Sequence, residues 1–132
     1  MNIPVSPRTE GYKVQQLAVE LHRFPAPKAR HQKWAFVWSH CNGFHKEIFH
    51  PVMRRLRDHM RTQSQYDHID LDFVAWDARN HGDSARLNEG TFLDSYTWFD
   101  NAMDTLQVIE HFELKEYDAL FGVGHSFGAT SM

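Results

Sequence analysis

The sequence lacks the features that cross-link a small domain or hold a chain in a membrane. Its 132 residues include one cysteine, Cys41, which excludes an internal disulfide. No run approaches the ~18 apolar residues of a membrane span, and residues 1–16 contain no apolar stretch typical of a secretory signal. Internal repeats and low-complexity tracts are absent as well. We therefore expect one soluble domain with no transmembrane segment, located in the cytoplasm.

Charge of one sign does not dominate either. The chain has 14 Lys and Arg against 17 Asp and Glu, a net charge of −3 with histidine neutral. This balance gives no electrostatic reason to expect nucleic acid or an anionic membrane as a partner. The hydrophobic fraction of 42% is enough for a packed core and argues against disorder.

Strand-like and helix-like patterns alternate along the chain. Near-continuous apolar runs predict three buried strands, at residues 33–40, 69–77 and 117–124. An alternating stretch at 12–24 predicts one or two short edge strands. Apolar residues at helical spacing predict two helices, at about 46–64 and about 95–112. This order predicts an α/β fold with a doubly wound, mostly parallel sheet.

Each predicted helix has an apolar stripe that we expect to face the core. In the first helix the stripe is formed by Ile48, Val52, Leu56 and Met60, with Phe49 and Met53 beside them. In the second it is formed by Phe99, Met103, Leu106 and Glu110, with Ala102 and Ile109 beside them. The segment 78–94 between the second strand and the second helix is polar and predicts a long loop.

Three chemically suggestive motifs follow the three predicted strands. They are SHCNGF at 39–44, DARNHGDS at 77–84 and GHSFG at 124–128. Ligands of parallel α/β sheets bind at the carboxyl ends of the strands. The sequence therefore predicts that the three motifs share one site.

The last motif has the form G-x-S-x-G, with Ser126 at its centre. A serine hydroxyl needs sharp presentation and a neighbouring base to act as a nucleophile. On a tight turn between a strand and a helix, small residues such as Gly124 and Gly128 relieve crowding around the serine. The motif therefore predicts Ser126 as a nucleophile, although a glycine-rich turn without chemistry is the alternative.

An acyl-transfer site also needs two backbone N–H donors for the developing oxyanion. We expect one from Phe127, which follows the serine, and the other from Asn42, in the turn after the first central strand. An ordinary Asn-Gly turn is the alternative for Asn42. The DARNHGDS motif is interpreted as a scaffold at the rim of the site, with His81 at the surface.

The three motifs together resemble the α/β-hydrolase superfamily, in its serine-nucleophile branch. Members of that branch have H-G-x, D-x-R-G-H-G-x-S and G-x-S-x-G after three of their strands. The stretch SHCNGFHKEIFHPV is also similar to fungal serine hydrolases. The resemblance extends from about residue 33 onward. Cys41 and Asn80 replace glycines of that pattern. The resemblance implies transfer of an acyl group from a small-molecule ester, thioester or amide to Ser126, without a cofactor.

The acid and histidine of a catalytic triad follow the serine in this superfamily, but no such residue follows Ser126 here. We therefore interpret residues 1–132 as the N-terminal portion of a single α/β-hydrolase domain, with its core from about residue 33 and little activity alone. The strand at 117–124 would then lie at an edge of the sheet. A peroxisomal location is open if a C-terminal signal exists beyond residue 132.

Other uses of the histidines are less consistent with the sequence. His40, His45 and His125 were considered as surrogate bases close to the serine. His40, His45 and His50 are spaced by five and share no helical face, so no metal site is predicted. An acyltransferase, a hydroxynitrile lyase and a non-catalytic truncated product remain as alternatives to an esterase, lipase or thioesterase.

Overall fold

A computed structural model of the protein describes residues 1–12 and 14–132. The described residues form five strands: β1 (Asn2–Pro4), β2 (Gln16–Phe24), β3 (Gln32–Ser39), β4 (Ile69–Trp76) and β5 (Ala119–Gly124). They also form the helices α1 (His50–Arg61), α2 (Gly82–Leu87), α3 (Trp98–His111) and α4 (Phe127–Thr130). A 3₁₀ turn at Lys46–Phe49 leads into α1.

The strands form a single sheet in the order β1-β2-β4-β3-β5. The central strand β3 pairs in parallel with both β4 and β5, whereas β2 runs antiparallel to β1 and β4. The predicted α/β fold with a mostly parallel sheet is therefore confirmed for its three core strands. β2 lies between β1 and β4, so it is not the edge strand that the alternating pattern suggested.

A hydrophobic cluster covers each face of the sheet, as expected for a doubly wound fold. One cluster joins Val37 and Val74 to Val108 of α3, and the other joins Trp38 and Phe73 to Met53 of α1. The first cluster also includes Ile3, Leu17 and Val19. The buried core thus begins well before residue 33, where the sequence analysis placed its start.

β5 occupies an edge of the sheet formed by the described residues, as expected from the sequence. Its Leu120 and Phe121 are 40% and 38% exposed, because β5 is paired on one side only. None of the described helices has both the length and the hydropathy needed to cross a membrane.

The predicted stripe of α1 is wrong in part. Val52 is 52% exposed, whereas Met53, Met60 and, in the 3₁₀ turn, Phe49 are buried as predicted. A spacing of four residues rotates by about 40° per step on a helix of 3.6 residues per turn. Residues 48, 52, 56 and 60 therefore drift around the helix, whereas Phe49, Met53 and Met60 stay on one side.

The predicted stripe of α3 is also wrong in part, since Phe99 is 70% exposed and Leu106 is 36% exposed, whereas Ile109 packs against the core. The buried face of α3 is mostly polar and contains Asp100, Asn101, Asp104, Thr105 and Val108. A capping box at its N-terminus explains Asp100, which exchanges hydrogen bonds with Thr97. The loop predicted at 78–94 contains the short helix α2, which the sequence analysis missed.

Candidate active site

The three motifs meet at the carboxyl ends of the parallel strands β3, β4 and β5. Ser39, the last residue of β3, pairs with Trp76 at the end of β4 and with Gly124 at the end of β5. Because these strands are parallel and end in register, the segments that follow them emerge side by side. The expectation that the motifs lie close together is therefore met by the backbone alone.

Ser126 stands on a strained turn between β5 and α4. Its φ of 51° and ψ of −116° are unusual for a residue with a side chain. The turn is held by the His125 N–H, which donates to Ser39 O at 3.1 Å, and by the Thr130 N–H, which donates to Ser126 O at 2.9 Å. Such strain persists only where the surroundings over-determine the conformation.

The two glycines of the motif are required by close backbone contacts. A Cβ on Gly124 would lie 2.4 Å from Ala129 Cα, and a Cβ on Gly128 would lie 2.1 Å from Ser39 O. Both distances are far inside van der Waals contact. α4 can therefore pack against the end of β3 only while Gly128 has no side chain.

The turn after β3 presents Asn42. Phe44 N–H donates to Cys41 O at 3.3 Å to close the turn, and Gly43 has a φ of +80°. Gly43 N–H donates to His81 Nε2 at 3.0 Å, and Asn42 Oδ1 lies 3.0 Å from the same nitrogen. Within the described residues the Asn42 N–H donates to no acceptor. It is therefore available to a ligand.

A cavity of about 380 Å³ connects these elements. Its lining residues are Asn42, Asn80, His81, Tyr96, Trp98, Ser126, Phe127 and Thr130. The predicted nucleophile and both residues predicted to supply oxyanion donors thus border one cavity. Phe127 is the first residue of α4, so its N–H precedes the first hydrogen bond of the helix.

His81 is not the surface residue that the sequence analysis expected. It is half-buried, lines the cavity and bonds the Asn42 turn, while its Nδ1 lies 2.7 Å from Asn80 Oδ1. Burial and the neighbouring His40 lower the pKa of His81, although Asp77 opposes them. Its Nε2 contacts both the Gly43 N–H and Asn42 Oδ1 in the turn after β3. His81 therefore positions the turn.

His40 cannot serve as a base because both of its ring nitrogens are engaged. Nδ1 donates to Cys41 O at 2.8 Å, and Nε2 accepts the Ala78 N–H at 3.0 Å. The ring is 2% exposed, and burial lowers its pKa. His45 is paired with Glu47 at 2.5 Å. Neither His40, His45 nor His125 lines the cavity.

A buried lysine joins the turns after β3 and β4. Lys46 Nζ lies 2.9 Å from Asp77, 2.8 Å from Asp83 and 2.7 Å from Glu47, and its side chain is 3% exposed. Burial lowers the pKa of Lys46, but the hydrogen bonds to Asp83, Glu47 and Asp77 outweigh it and raise the pKa. The sequence contained no signal for this cluster, since Asp77 is 31 residues away.

A second polar network links α3 to the serine turn. Arg79 donates to both carboxylate oxygens of Asp104, at 2.5 and 2.8 Å, and both side chains are almost fully buried. One helical turn earlier, Asn101 donates to Ser131 Oγ, which donates to Phe127 O at 2.8 Å. The polar face of α3 therefore stabilises α4 through these hydrogen bonds.

Comparison with known proteins agrees with this architecture. The family model described as the alpha/beta hydrolase family matches residues 36–132. The peroxisomal alpha-beta-hydrolase Lpx1 of Saccharomyces cerevisiae superposes with a TM-score of 0.77 at 23% identity, over 99% of this chain and 37% of that one. This likeness concerns the fold.

Curated relatives come from two Penicillium species. The type I acyl-CoA thioesterase mpaH' of Penicillium brevicompactum is 33% identical over 95 residues, 72% of this chain, and a type I acyl-CoA thioesterase of Penicillium roqueforti is 32% identical over 95 residues. The match spans 21% of the length of each relative. Because the family model matches most of this chain, the chain belongs to the alpha/beta hydrolase family.

Proposed function

We propose that Ser126 is the nucleophile of a serine hydrolase site for small-molecule acyl substrates. The backbone of Ser126 is the observation that carries the proposal, because its strained φ of 51° presents a serine to the cavity. Strain of this kind costs about 1–3 kcal/mol and clusters at functional sites. Gly124 and Gly128 permit it at positions where other residues would collide.

The proposed oxyanion donors are the N–H groups of Asn42 and Phe127. In the acylation step a bond forms from Ser126 Oγ to the acyl carbon, and the bond from that carbon to the leaving oxygen, sulfur or nitrogen breaks. The serine proton passes to a base and then to the leaving group. The negative charge on the former carbonyl oxygen is stabilised by the two N–H groups.

The base and its acid partner are expected outside residues 1–132. In the described residues no side chain forms a hydrogen bond with Ser126 Oγ. We therefore expect residues 1–132 alone to hydrolyse esters only slowly, since sites without triad members retain the contribution of the oxyanion hole and binding.

Among acyl substrates we favour thioesters for the whole protein. Two kinds of observation support this choice: the curated relatives are named acyl-CoA thioesterases, and Tyr96 and Trp98 give the cavity an aromatic wall suited to an acyl chain. Because this chain spans about a fifth of those relatives, the substrate remains a proposal.

The test is covalent labelling with a fluorophosphonate, followed by peptide mapping. The whole protein, with the base expected outside residues 1–132, should be labelled on Ser126, and Ser126→Ala should remove the label. Ser64→Ala removes an exposed hydroxyl far along the chain and serves as the matched control. Labelling that continues undiminished in Ser126→Ala would contradict the assignment.

A second experiment separates the backbone donor of Asn42 from its side chain. Asn42→Pro deletes the N–H and should lower the rate of labelling by about 10² or more, whereas Asn42→Ala should lower it only modestly. Circular dichroism should show that both variants are folded. Equal and small effects would mean that another residue supplies the second donor.

A further inference from the structure

Three potential metal ligands come together between β2 and the N-terminus of α1. Glu20 and His22 belong to β2, and His50 is the first residue of α1. One ligand atom from each lies within 4.8 Å of the other two. None of these residues lines the cavity that contains Ser126.

The positions of the ligands follow from the fold. Glu20 and His22 are two residues apart on a strand, so they project from the same face of the sheet. The 3₁₀ turn and α1 cross that face, which brings His50 above them. The two imidazole rings are edge-to-face, with centroids 5.8 Å apart and an interplanar angle of 86°, so they do not stack.

The distances fit a tetrahedral ion after a small expansion. His50 Nε2 lies 2.7 Å from Glu20 Oε2, and His22 Nε2 lies 3.1 Å from the same oxygen. Ligands about 2.0–2.1 Å from a tetrahedral zinc ion are about 3.3 Å from one another. To reach that spacing, His50 Nε2 has to move about 0.6 Å and His22 Nε2 about 0.2 Å away from Glu20 Oε2, and the ligand atoms of all three residues lie within 4.8 Å of one another.

The orientation of the two rings also suits a metal. Both imidazoles direct Nε2 at Glu20 Oε2. A cation placed there would be bound by both Nε2 atoms and by that oxygen, with each neutral ring carrying its proton on Nδ1.

Two imidazoles and one carboxylate favour zinc over magnesium or calcium, which prefer oxygen ligands. The three side chains are 27% to 40% exposed, which leaves room for a water molecule as the fourth ligand. Arg54 and Arg57 line the adjoining cavity of about 210 Å³. Their positive charge makes the Glu20 carboxylate essential for binding a divalent cation.

We propose that Glu20, His22 and His50 bind a Zn²⁺ ion that connects β2 to the N-terminus of α1. The sequence did not predict this site, because His50 is 30 residues from Glu20. No spacing within a single element brings the ligands together.

Isothermal titration with ZnCl₂ tests the proposal. Wild-type protein should bind one ion that MgCl₂ does not displace. His22→Ala and Glu20→Gln should each weaken binding by about tenfold or more, because even loss of an outer-shell partner costs 10–100-fold at metal sites. His31→Ala is the matched control, since His31 stacks on His68 at 4.4 Å in another pair of neighbouring imidazoles.

Thermal unfolding supplies a second readout that does not depend on the heat of binding. Zn²⁺ should raise the Tm of the wild type and of His31→Ala, and it should not raise the Tm of His22→Ala. Visible absorption of the Co²⁺-loaded protein should show bands of a four-coordinate ion that are lost in Glu20→Gln. Unchanged zinc affinity in both ligand variants, or an equal loss in His31→Ala, would overturn the proposal.

Discussion

Gly128→Ala is the most informative single change near the site, because it adds one methyl group where the structure has no room. The new Cβ would lie 2.1 Å from Ser39 O, 2.5 Å from Ser39 C and 2.6 Å from His40 O. These are backbone atoms of a central strand and its exit, so they cannot rotate away as a side chain would. Overpacking in such places costs typically 1–3 kcal/mol, and we expect about 3 kcal/mol or more here.

The expected loss is measurable by thermal unfolding. For a domain of 132 residues, 1 kcal/mol shifts the Tm by roughly 4 °C, so Gly128→Ala should lower the Tm by about 10 °C or more. Gly122→Ala is the matched control in the preceding strand. Its Cβ would meet only the flexible end of Met132, at 3.3 Å, so its Tm should change little. Equal Tm values for the two variants would refute the packing argument.

Three further changes address the buried polar networks. Lys46→Met should lower the free energy of unfolding by urea by about 3–5 kcal/mol, because it leaves Asp77 buried without its cation. The control Lys115→Met removes an exposed ion pair and should cost about 0.5 kcal/mol or less, and similar losses in the two variants would contradict the role of Lys46. Asp104→Asn should also cost about 3–5 kcal/mol, since it leaves the Arg79 guanidinium buried and uncompensated, and a loss below about 1 kcal/mol would mean that the pair is unimportant. Burial raises the pKa of Glu47, but hydrogen bonds, that of Lys46 foremost, outweigh it and lower the pKa from 4.5 to about 2. The stability that Glu47 contributes should be complete above about pH 4.5 and be lost as the pH falls towards 2. The difference in Tm between the wild type and Glu47→Gln should therefore vanish at low pH, and a difference that stays constant with pH would contradict the lowered pKa of Glu47.

The sequence predicted the parts of the fold that depend on local pattern. Residues 33–40 and 69–77 were predicted as strands, and the structure has β3 at Gln32–Ser39 and β4 at Ile69–Trp76. Both strands are continuous apolar runs because helices cover both faces of the sheet. The meeting of the three motifs also followed from the sequence, since parallel strands that end in register bring their exits together.

The parts that failed depend on contacts between distant residues. The polar face of α3 is buried because Asp104 pairs with Arg79 and Asn101 forms a hydrogen bond with Ser131. Hydrophobic periodicity instead predicts that such polar residues are exposed. Lys46 was interpreted as the start of a helix, although three carboxylates surround it. His81 and its contact with Gly43 join turns 38 residues apart. Hydrophobic pattern does not encode such pairs.

These long-range polar contacts have a common location that bears on the proposed chemistry. The turn after β3 is bonded to the turn after β4 through His40 with Ala78, through Gly43 with His81 and through the Lys46 N–H with Asp77. The serine turn is bonded to the end of β3 through Ser39 with His125. Each bond joins a backbone group to a partner in another turn, so the position of Asn42 relative to Ser126 does not depend on any single loop. Electrostatic stabilisation of an oxyanion requires donors that are already in place when charge develops. A strained serine requires surroundings that cannot relax. The same few hydrogen bonds meet both requirements of the proposed site.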